Sequence, residues 1–275
     1  MKINEYIQHK LKTLDLENPL QEIRYILQEK LNISFEEQIF NKDLEIKNSQ
    51  ILALEKIFEQ RKKRRPLSKI FNKAYFRDIS LLVNKHTFSP RIDSEVLIDV
   101  LIEKKININN ILELGTGTGA LSISLLKYFE KANSLVTDIS KEAIYIAKKN
   151  AILNNTYTRM QFICCDWLSC FKNLNFDILI SNPPYIKRDE IKLLDDEVKK
   201  YDPTISLDGG NDGLDAYRKI LKSIAKIGNK ELLVLFEIGF DQAEKVTEMM
   251  KKNGFKKIQT FKDYCNLSRC ILGKT

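Results

Sequence analysis

The chain has 275 residues, 43% of them hydrophobic and 30% charged, with 10 Gly and 6 Pro. That composition is globular, long enough for one large domain and a smaller one, and it excludes the disordered and collagen-like classes. A net charge of +8, from 45 Lys and Arg against 37 Asp and Glu, favours an acidic or nucleic-acid-associated partner.

No apolar run approaches the length of a membrane span, and the N-terminal MKINEYIQHKLKTLDLENPL intersperses charges with its apolar residues. A secretory signal has an unbroken hydrophobic segment, so a cytoplasmic protein with no membrane partner is expected. Residues 3–65 repeat apolar side chains at three- and four-residue intervals in EYIQHKLKTL, PLQEIRYILQEKL and SQILALEKIFEQRKKRR, which predicts helices. Ser49 is the expected N-cap of the last, and Pro66 closes it. The basic cluster RKKRR at 61–65 reads as the solvated, dipole-complementing end of that helix, although a contact patch is the alternative.

The period then changes. LSKIFNKAYFRDISLLVNKHTF (67–88) is rich in Ile, Phe, Leu and Val around a turn-like RDIS, and predicts a β-hairpin. The expected organisation is a helical domain over 1–66, a hairpin linker over 67–88 and a second domain over 89–275. Within the second domain short apolar runs alternate with longer helical patterns. The runs are 111–115, 134–138, 160–164, 177–181 and 231–238, with FKKIQTF and RCILG completing the set, so an open, mainly parallel α/β sheet is expected. Five cysteines, at 164, 165, 170, 265 and 270, form no C-x-x-C pair, and His9 and His86 are the only histidines. That argues against a metal site and against a His general base. Cys164 and Cys165, in the apolar MQFICCDW, are expected as buried small hydrophobes.

In such sheets ligands bind at the carboxyl ends of the strands, where strand order reverses. The first strand of the sheet runs into Glu113-Leu114-Gly115-Thr116-Gly117-Thr118-Gly119-Ala120, and glycines there let backbone approach a ligand closely. GTGTGA alone also fits dinucleotide enzymes. Asp138, followed by Ile139, ends the second strand, where it can accept from ribose hydroxyls; the competing role is an N-cap for the helix starting at Ser140. Asp166 and Trp167 end the third, an acid beside an aromatic plane as an adenine ring requires, with Trp167 as core filling equally open. The fourth ends in Asn182-Pro183-Pro184-Tyr185. Read blandly, Pro-Pro terminates a strand. Read chemically, Asn182 Oδ1 and the Pro183 carbonyl are a rigid pair of acceptors for an NH2 group, with Tyr185 to stack on its plane. An amide or aromatic amine is a poor nucleophile because its lone pair is delocalised; gripping both N–H bonds localises and aims it. Positioning of that kind suffices when the electrophile is already activated, as a sulfonium methyl donor is, whereas a hydride carrier has no use for it.

The glycine loop with Asn-Pro-Pro-Tyr resembles the class I S-adenosylmethionine-dependent methyltransferases that modify planar nitrogens. RPLSKIFNKAYF (65–76), FSPRIDSE (88–95), DPTISLDGGNDGLDAYR (202–218), FEIGFDQ (236–242) and DYCNLSR (263–269) resemble, more narrowly, the release factor glutamine methyltransferases, the HemK or PrmC family. Two departures stand out: Ile92 replaces a proline in the PRPDTE-like segment, and Asp202-Pro203 replaces the frequent Glu-Pro. The resemblance implies a small helical bundle, a hairpin linker and a seven-stranded Rossmann-like methyltransferase domain. It implies S-adenosyl-L-methionine as cofactor, S-adenosyl-L-homocysteine as product, and the glutamine of the Gly-Gly-Gln loop of class-1 peptide chain release factors as substrate. Carried onto this chain, cofactor binding falls to Glu113, Gly115, Thr116, Gly117, Gly119, Asp138, Ile139, Asp166, Trp167 and Asn182, catalysis to Asn182, Pro183 and Tyr185, and substrate binding to Asn182, Pro183, Pro184 and Tyr185. A monomer without direct nucleic-acid contact is expected, its helical domain serving partner recognition. The alternative is an adenine-N6 DNA or guanine-N2 rRNA methyltransferase, and a third reading is a non-enzymatic scaffold.

Overall fold

Apolar residues spaced for one helical face build the first core. The computed structural model describes residues 1–14, 18–41, 43–173, 175–227 and 231–275, and these divide into two units, Met1–Asn72 and Lys73–Thr275. The first unit holds α1 (Ile3–Leu11), α2 (Pro19–Leu31), α3 (Phe35–Phe40), α4 (Asn48–Lys62) and α5 (Leu67–Phe71). Ile3, Tyr6, Ile7, Ile23, Leu27 and Phe58 lie among its buried residues. Helix α3, absent from the periodicity reading, is too short to show a repeat; its signal is local. Ser34 Oγ accepts from the Glu37 N–H while Glu37 accepts from the Ser34 N–H, a reciprocal cap written as S-x-x-E.

Three expectations shift in this unit. The N-cap of α4 is Lys47 and not Ser49, because Gln50 reaches back 2.9 Å to the Lys47 N–H and the helix starts two residues earlier in consequence. Pro66 caps α5 and does not close α4, which ends at Lys62. The 61–65 cluster is only partly solvated. Arg61 is buried in a two-pronged pair with Glu22 (2.5 and 2.8 Å), and Arg65 turns back onto Gln60 and the Lys69 carbonyl.

The hairpin is shorter than 67–88. Leu67–Phe71 is helical, ended by Asn72 at a left-handed φ of +52°. The strands are β1 (Lys73–Phe76) and β2 (Ile79–Leu82), with Phe76 opposite Ile79 across Arg77-Asp78. Then follow α6 (Glu95–Glu103), β3 (Asn110–Leu114), α7 (Ala120–Tyr128), β4 (Asn133–Asp138), α8 (Lys141–Leu153), β5 (Met160–Cys164), β6 (Ile178–Ser181), α9 (Asp196–Lys199), α10 (Asp215–Ile227), β7 (Leu233–Glu237), α11 (Ala243–Lys252), β8 (Lys256–Lys262) and β9 (Ser268–Lys274).

The seven-stranded sheet has the order β5-β4-β3-β6-β7-β9-β8, parallel from β5 to β7 and antiparallel at β9 and β8. Its central strands are buried on both faces, so alternate residues feed two cores. Ile111, Ile178 and Ile180 join Phe76, Leu97 and Ile123 on one side, while Leu112 and Leu179 join Tyr217 and Phe236 on the other. Among the described residues no helix is long and apolar enough to cross a membrane.

Asn150, fully buried on α8, fastens the hairpin to this sheet. It accepts from the Leu82 N–H (2.6 Å) and donates to the Leu82 and Thr118 carbonyls, both at 2.9 Å. Asn150→Ala strands these backbone groups and should cost roughly 2–4 kcal/mol. Scanning calorimetry should therefore show the second unit melting several degrees lower; an unchanged Tm contradicts the assignment.

Candidate active site

Strand order reverses between β3 and β6: β4 and β5 lie on one side of that pair, β7 on the other. Leu114 is level with Ser181, so the loops leaving the two strands enter one crevice. It contains a cavity of about 380 Å³, within the usual range for a cofactor-sized ligand.

The glycine loop leaves β3 along one wall. Asp138, at the end of β4, accepts from the Gly117 N–H through Oδ2 and from the Ser140 N–H through Oδ1, both at 2.9 Å. Capping of α8 belongs to Ser140, whose Oγ accepts from the Ala143 N–H. Asp138 is therefore not the cap of α8, and it lines the cavity. Burial pushes its carboxyl pKa up, against the hydrogen bonds from Ser140 and Gly117. Each oxygen keeps a lone pair for a second donor. Glu113 is almost wholly buried on β3, accepts from the Ser122 N–H of α7 at 3.1 Å, and has its pKa pushed up to about 7 by burial.

Gly115, Thr116, Gly117 and Ile139 line the cavity, but Gly119 does not. Gly119 is the N-cap of α7 at φ +83°, and a Cβ there would meet Ile123 at 3.1 Å and Ala147 at 3.5 Å. Its glycine serves close packing of α7 on α8. Asp166 and Trp167 line the far end. The indole packs against the second core and also faces the cavity, 3.5 Å from where a Gly115 Cβ would be. Cys164 and Cys165 are not buried hydrophobes. Cys164 is exposed and Cys165 half-buried, because β5 is the outermost strand; of the five cysteines only Cys270 is buried. Among the described residues no cluster of His, Cys, Asp and Glu could hold a metal ion.

The opposite wall is Asn182-Pro183-Pro184-Tyr185. Asn182 Nδ2 donates to Ser94 Oγ at 3.1 Å, and its Oδ1 takes no hydrogen bond from the described residues. The Tyr185 hydroxyl donates to Glu237 at 3.1 Å. Beneath this segment lies the DGGNDG stretch (208–213), paired like a short strand: the Ile186 N–H donates to the Leu207 carbonyl and the Gly209 N–H to the Ile186 carbonyl. Gly213, at φ +78°, approaches so closely that a Cβ would sit 2.4 Å from the Tyr185 carbonyl oxygen. Gln242 holds that same oxygen through Nε2 at 2.9 Å. Arg91 pairs with Asp202 at 2.8 Å, so aspartate keeps a carboxylate where the family often has glutamate.

Sequence reasoning missed Ser94, Glu237 and Gln242. For Glu237 a signal was available: it is a carboxylate in the buried apolar run LVLFEI.

Two family models match the chain: the PrmC N-terminal domain over residues 4–71 and the methyltransferase small domain over residues 85–197. A release factor glutamine methyltransferase of Clostridium acetobutylicum is 36% identical over 85% of this chain and 84% of its own length. The chain belongs to the release factor glutamine methyltransferase family. A bifunctional methyltransferase of Rickettsia bellii is 33% identical over 90% of this chain, which spans 50% of that protein's length. Thus the chain covers about half of the bifunctional methyltransferases of Rickettsia that it matches. The structure of a ribosomal protein L11 methylase from Lactobacillus delbrueckii subsp. bulgaricus superposes with a TM-score of 0.51 at 17% identity, covering 68% of this chain and 80% of that one. It shares the class I methyltransferase fold expected for this family.

In this release factor glutamine methyltransferase family member, Gly213→Ala should push the Tyr185 carbonyl off Gln242 and tilt the tetrapeptide. Since misplacement by about 1 Å can cost on the order of 100-fold, methyl transfer should fall at least about tenfold while S-adenosylhomocysteine affinity, measured by calorimetry, stays within about threefold. Equal losses in both would show that the glycine shapes the whole cavity instead.

Proposed function

We propose that this chain transfers a methyl group from S-adenosylmethionine to the side-chain amide nitrogen, N5, of the glutamine in the Gly-Gly-Gln motif of class-1 peptide chain release factors. The observation that carries the reading is the orientation of Asn182. Its Nδ2 is engaged by Ser94, and its Oδ1 is left for a donor in the cavity beside the buried Pro183.

The residues present fit the cofactor. Asp138 has one lone pair per oxygen for the two hydroxyls of a ribose; Asp166 and Trp167 supply an acceptor and a ring for adenine; Glu113 and the glycine loop line the stretch between. When bound, the cofactor supplies a methyl group already activated as a sulfonium. The chain's own work is placement. Asn182 Oδ1 and the Pro183 carbonyl accept the two N–H bonds of the glutamine amide, turning its nitrogen lone pair toward the methyl carbon. Tyr185, with Pro184, bounds the plane of the amide. As the nitrogen–carbon bond forms, the methyl carbon–sulfur bond would break with S-adenosylhomocysteine as leaving group, and the amide nitrogen would then be acidic enough to release a proton to water, so no strong base is required.

The helical unit is proposed to hold the partner. A folded protein docks over on the order of 800 Å² per side, far more than the mouth of a cavity for one side chain. Phe40, Leu52 and Ile39 are exposed in that unit at 84%, 66% and 43%, an apolar surface that a partner could cover. The curated relative from Clostridium acetobutylicum is named for release factors as substrates, which supports the choice of partner.

Purified release factor, DNA and rRNA offered side by side test the reading, with methyl incorporation expected into release factor only; incorporation into nucleic acid alone would overturn it. Asn182→Ala should lose most turnover while S-adenosylmethionine binding barely changes. Turnover near the wild-type rate would remove Asn182 from the mechanism. Asp138→Ala should weaken cofactor binding by about 1.5–3 kcal/mol for each charge-assisted hydrogen bond lost; calorimetry showing unchanged affinity would contradict the ribose assignment. A truncation starting at Lys73 should keep cofactor binding and methylate intact release factor far more slowly, with a smaller loss on a short Gly-Gly-Gln peptide. Full activity of that truncation on intact release factor would contradict the recognition role.

A further inference from the structure

Glu237 ends β7 with 2% of its surface exposed, behind the tetrapeptide and outside the set of residues lining the cavity. A buried carboxylate is costly unless hydrogen-bonded or paired. The nearest cation does not pair with it. Arg269, on β9, is taken by Asp263 at 3.0 Å and Asp93 at 3.3 Å, and reaches only the Tyr185 hydroxyl, at 3.5 Å. Instead both carboxylate oxygens accept from hydroxyls attached to the site: Oε2 from Ser94 Oγ at 2.5 Å, Oε1 from Tyr185 at 3.1 Å. Tyr217, on α10, donates to the Glu237 carbonyl at 2.8 Å, and the thiol of Cys270 lies on the residue paired with it across β9.

We infer that Glu237 is a positioning residue for methyl transfer, acting through Ser94 on the orientation of the Asn182 amide and through its hydroxyl bond on the ring of Tyr185. The inference deepens the proposed function and rests on it. Its logic is the direction of hydrogen bonds. An ionised carboxylate only accepts, and a serine hydroxyl has one hydrogen. With that hydrogen given to Glu237, Ser94 Oγ can only accept from Asn182, so the amide must turn its NH2 inward and Oδ1 toward the cavity. A protonated Glu237 can donate to Ser94, whose hydrogen is then free to seek Asn182 Oδ1. The amide flips, and its NH2 faces the N–H bonds it should grip.

Burial pushes the Glu237 pKa up to about 7, opposed by the Ser94 hydrogen bond and the charge of Arg269, while Asp93 adds to the rise. The ionised, active form therefore prevails above neutrality, and turnover at saturating substrates should fall below it by about tenfold per pH unit. Glu113, also raised to about 7, belongs to the cofactor end and has no link to Asn182, so its titration belongs to cofactor affinity and not to saturated turnover.

The test uses the full chain. Glu237→Gln and Ser94→Ala should each lower kcat by about 10–100-fold with KM for release factor and S-adenosylhomocysteine affinity within about threefold. Ser94→Thr, which keeps the hydroxyl, should recover most of the loss, and Glu237→Gln should erase the acid limb of the kcat profile. Where Glu237→Gln fails to fold, Ser94→Ala against Ser94→Thr decides. A second readout needs no substrate. The side-chain amide 15N resonance of Asn182, assigned by its loss in Asn182→Asp, should shift with a midpoint near neutrality in the wild type and stay constant in Ser94→Ala. Absent methyl transfer by the wild type would refute the substrate reading and leave this titration to judge the inference. A kcat for Ser94→Ala within about threefold of wild type, or a pH-independent Asn182 resonance in the wild-type chain, would overturn it.

Discussion

Everything at the site depends on β3 and β6 being parallel neighbours while the chain proceeds away from them in opposite directions. Ser181 Oγ donates to the Leu114 carbonyl at 2.8 Å, locking the last residues of the two strands together just before their loops diverge. A one-residue slip of either strand in this pairing would turn that strand's core residues to the opposite faces and put the glycine loop out of register with Asn182. The pairing is protected by burial: Ile111, Leu112, Leu114, Ile178, Leu179 and Ile180 are all fully excluded from solvent. Stability and site geometry are thus one property of the central sheet.

Around that fixed pair, the chain uses buried polar contacts where an apolar core could not give direction. Asn150 ties the hairpin to the glycine loop, Gln242 ties the Tyr185 carbonyl to the Gly213 carbonyl, and Glu237 ties Ser94 to Tyr185. Hydrophobic packing fixes distance but not which end of an amide points where; hydrogen-bond polarity does. The DGGNDG stretch contributes the complementary device. Backbone lies against backbone under the tetrapeptide, so that its position is set by main-chain geometry and not by rotamers.

Much of this was legible from residues alone, and the exceptions have physical causes. The seven strands fell within a residue or two of their expected places; the central ones read as continuous apolar runs because they are buried on both faces, whereas the edge strands β5 and β8 are largely exposed or half-exposed. The cavity-lining residues were legible because β–loop–α connections put chemistry at strand ends. What was not legible depended on short-range or through-space effects. Helix α3 is too brief for a period and rests on one cap; Leu67–Phe71 shares the apolar composition of the hairpin it precedes; the edge position of β5, which exposes Cys164, follows from strand order and not from the MQFICC run itself. The loop pattern does not say which glycine borders the cavity, as Gly115 and Gly117 do, and which packs helix on helix, as Gly119 does. Ser94, Gln242 and Glu237 are distant in sequence from the tetrapeptide, and only the fold brings them under it.

The central claim is that the amide grip at Asn182 and Pro183 acts on one glutamine. Its most direct measurement is fragmentation mass spectrometry of an unmodified class-1 release factor after incubation with the chain and S-adenosylmethionine carrying an isotopically labelled methyl group. The account predicts a single labelled methyl on the side-chain nitrogen of the Gly-Gly-Gln glutamine. A label on any other residue, or dispersed over several, would contradict it.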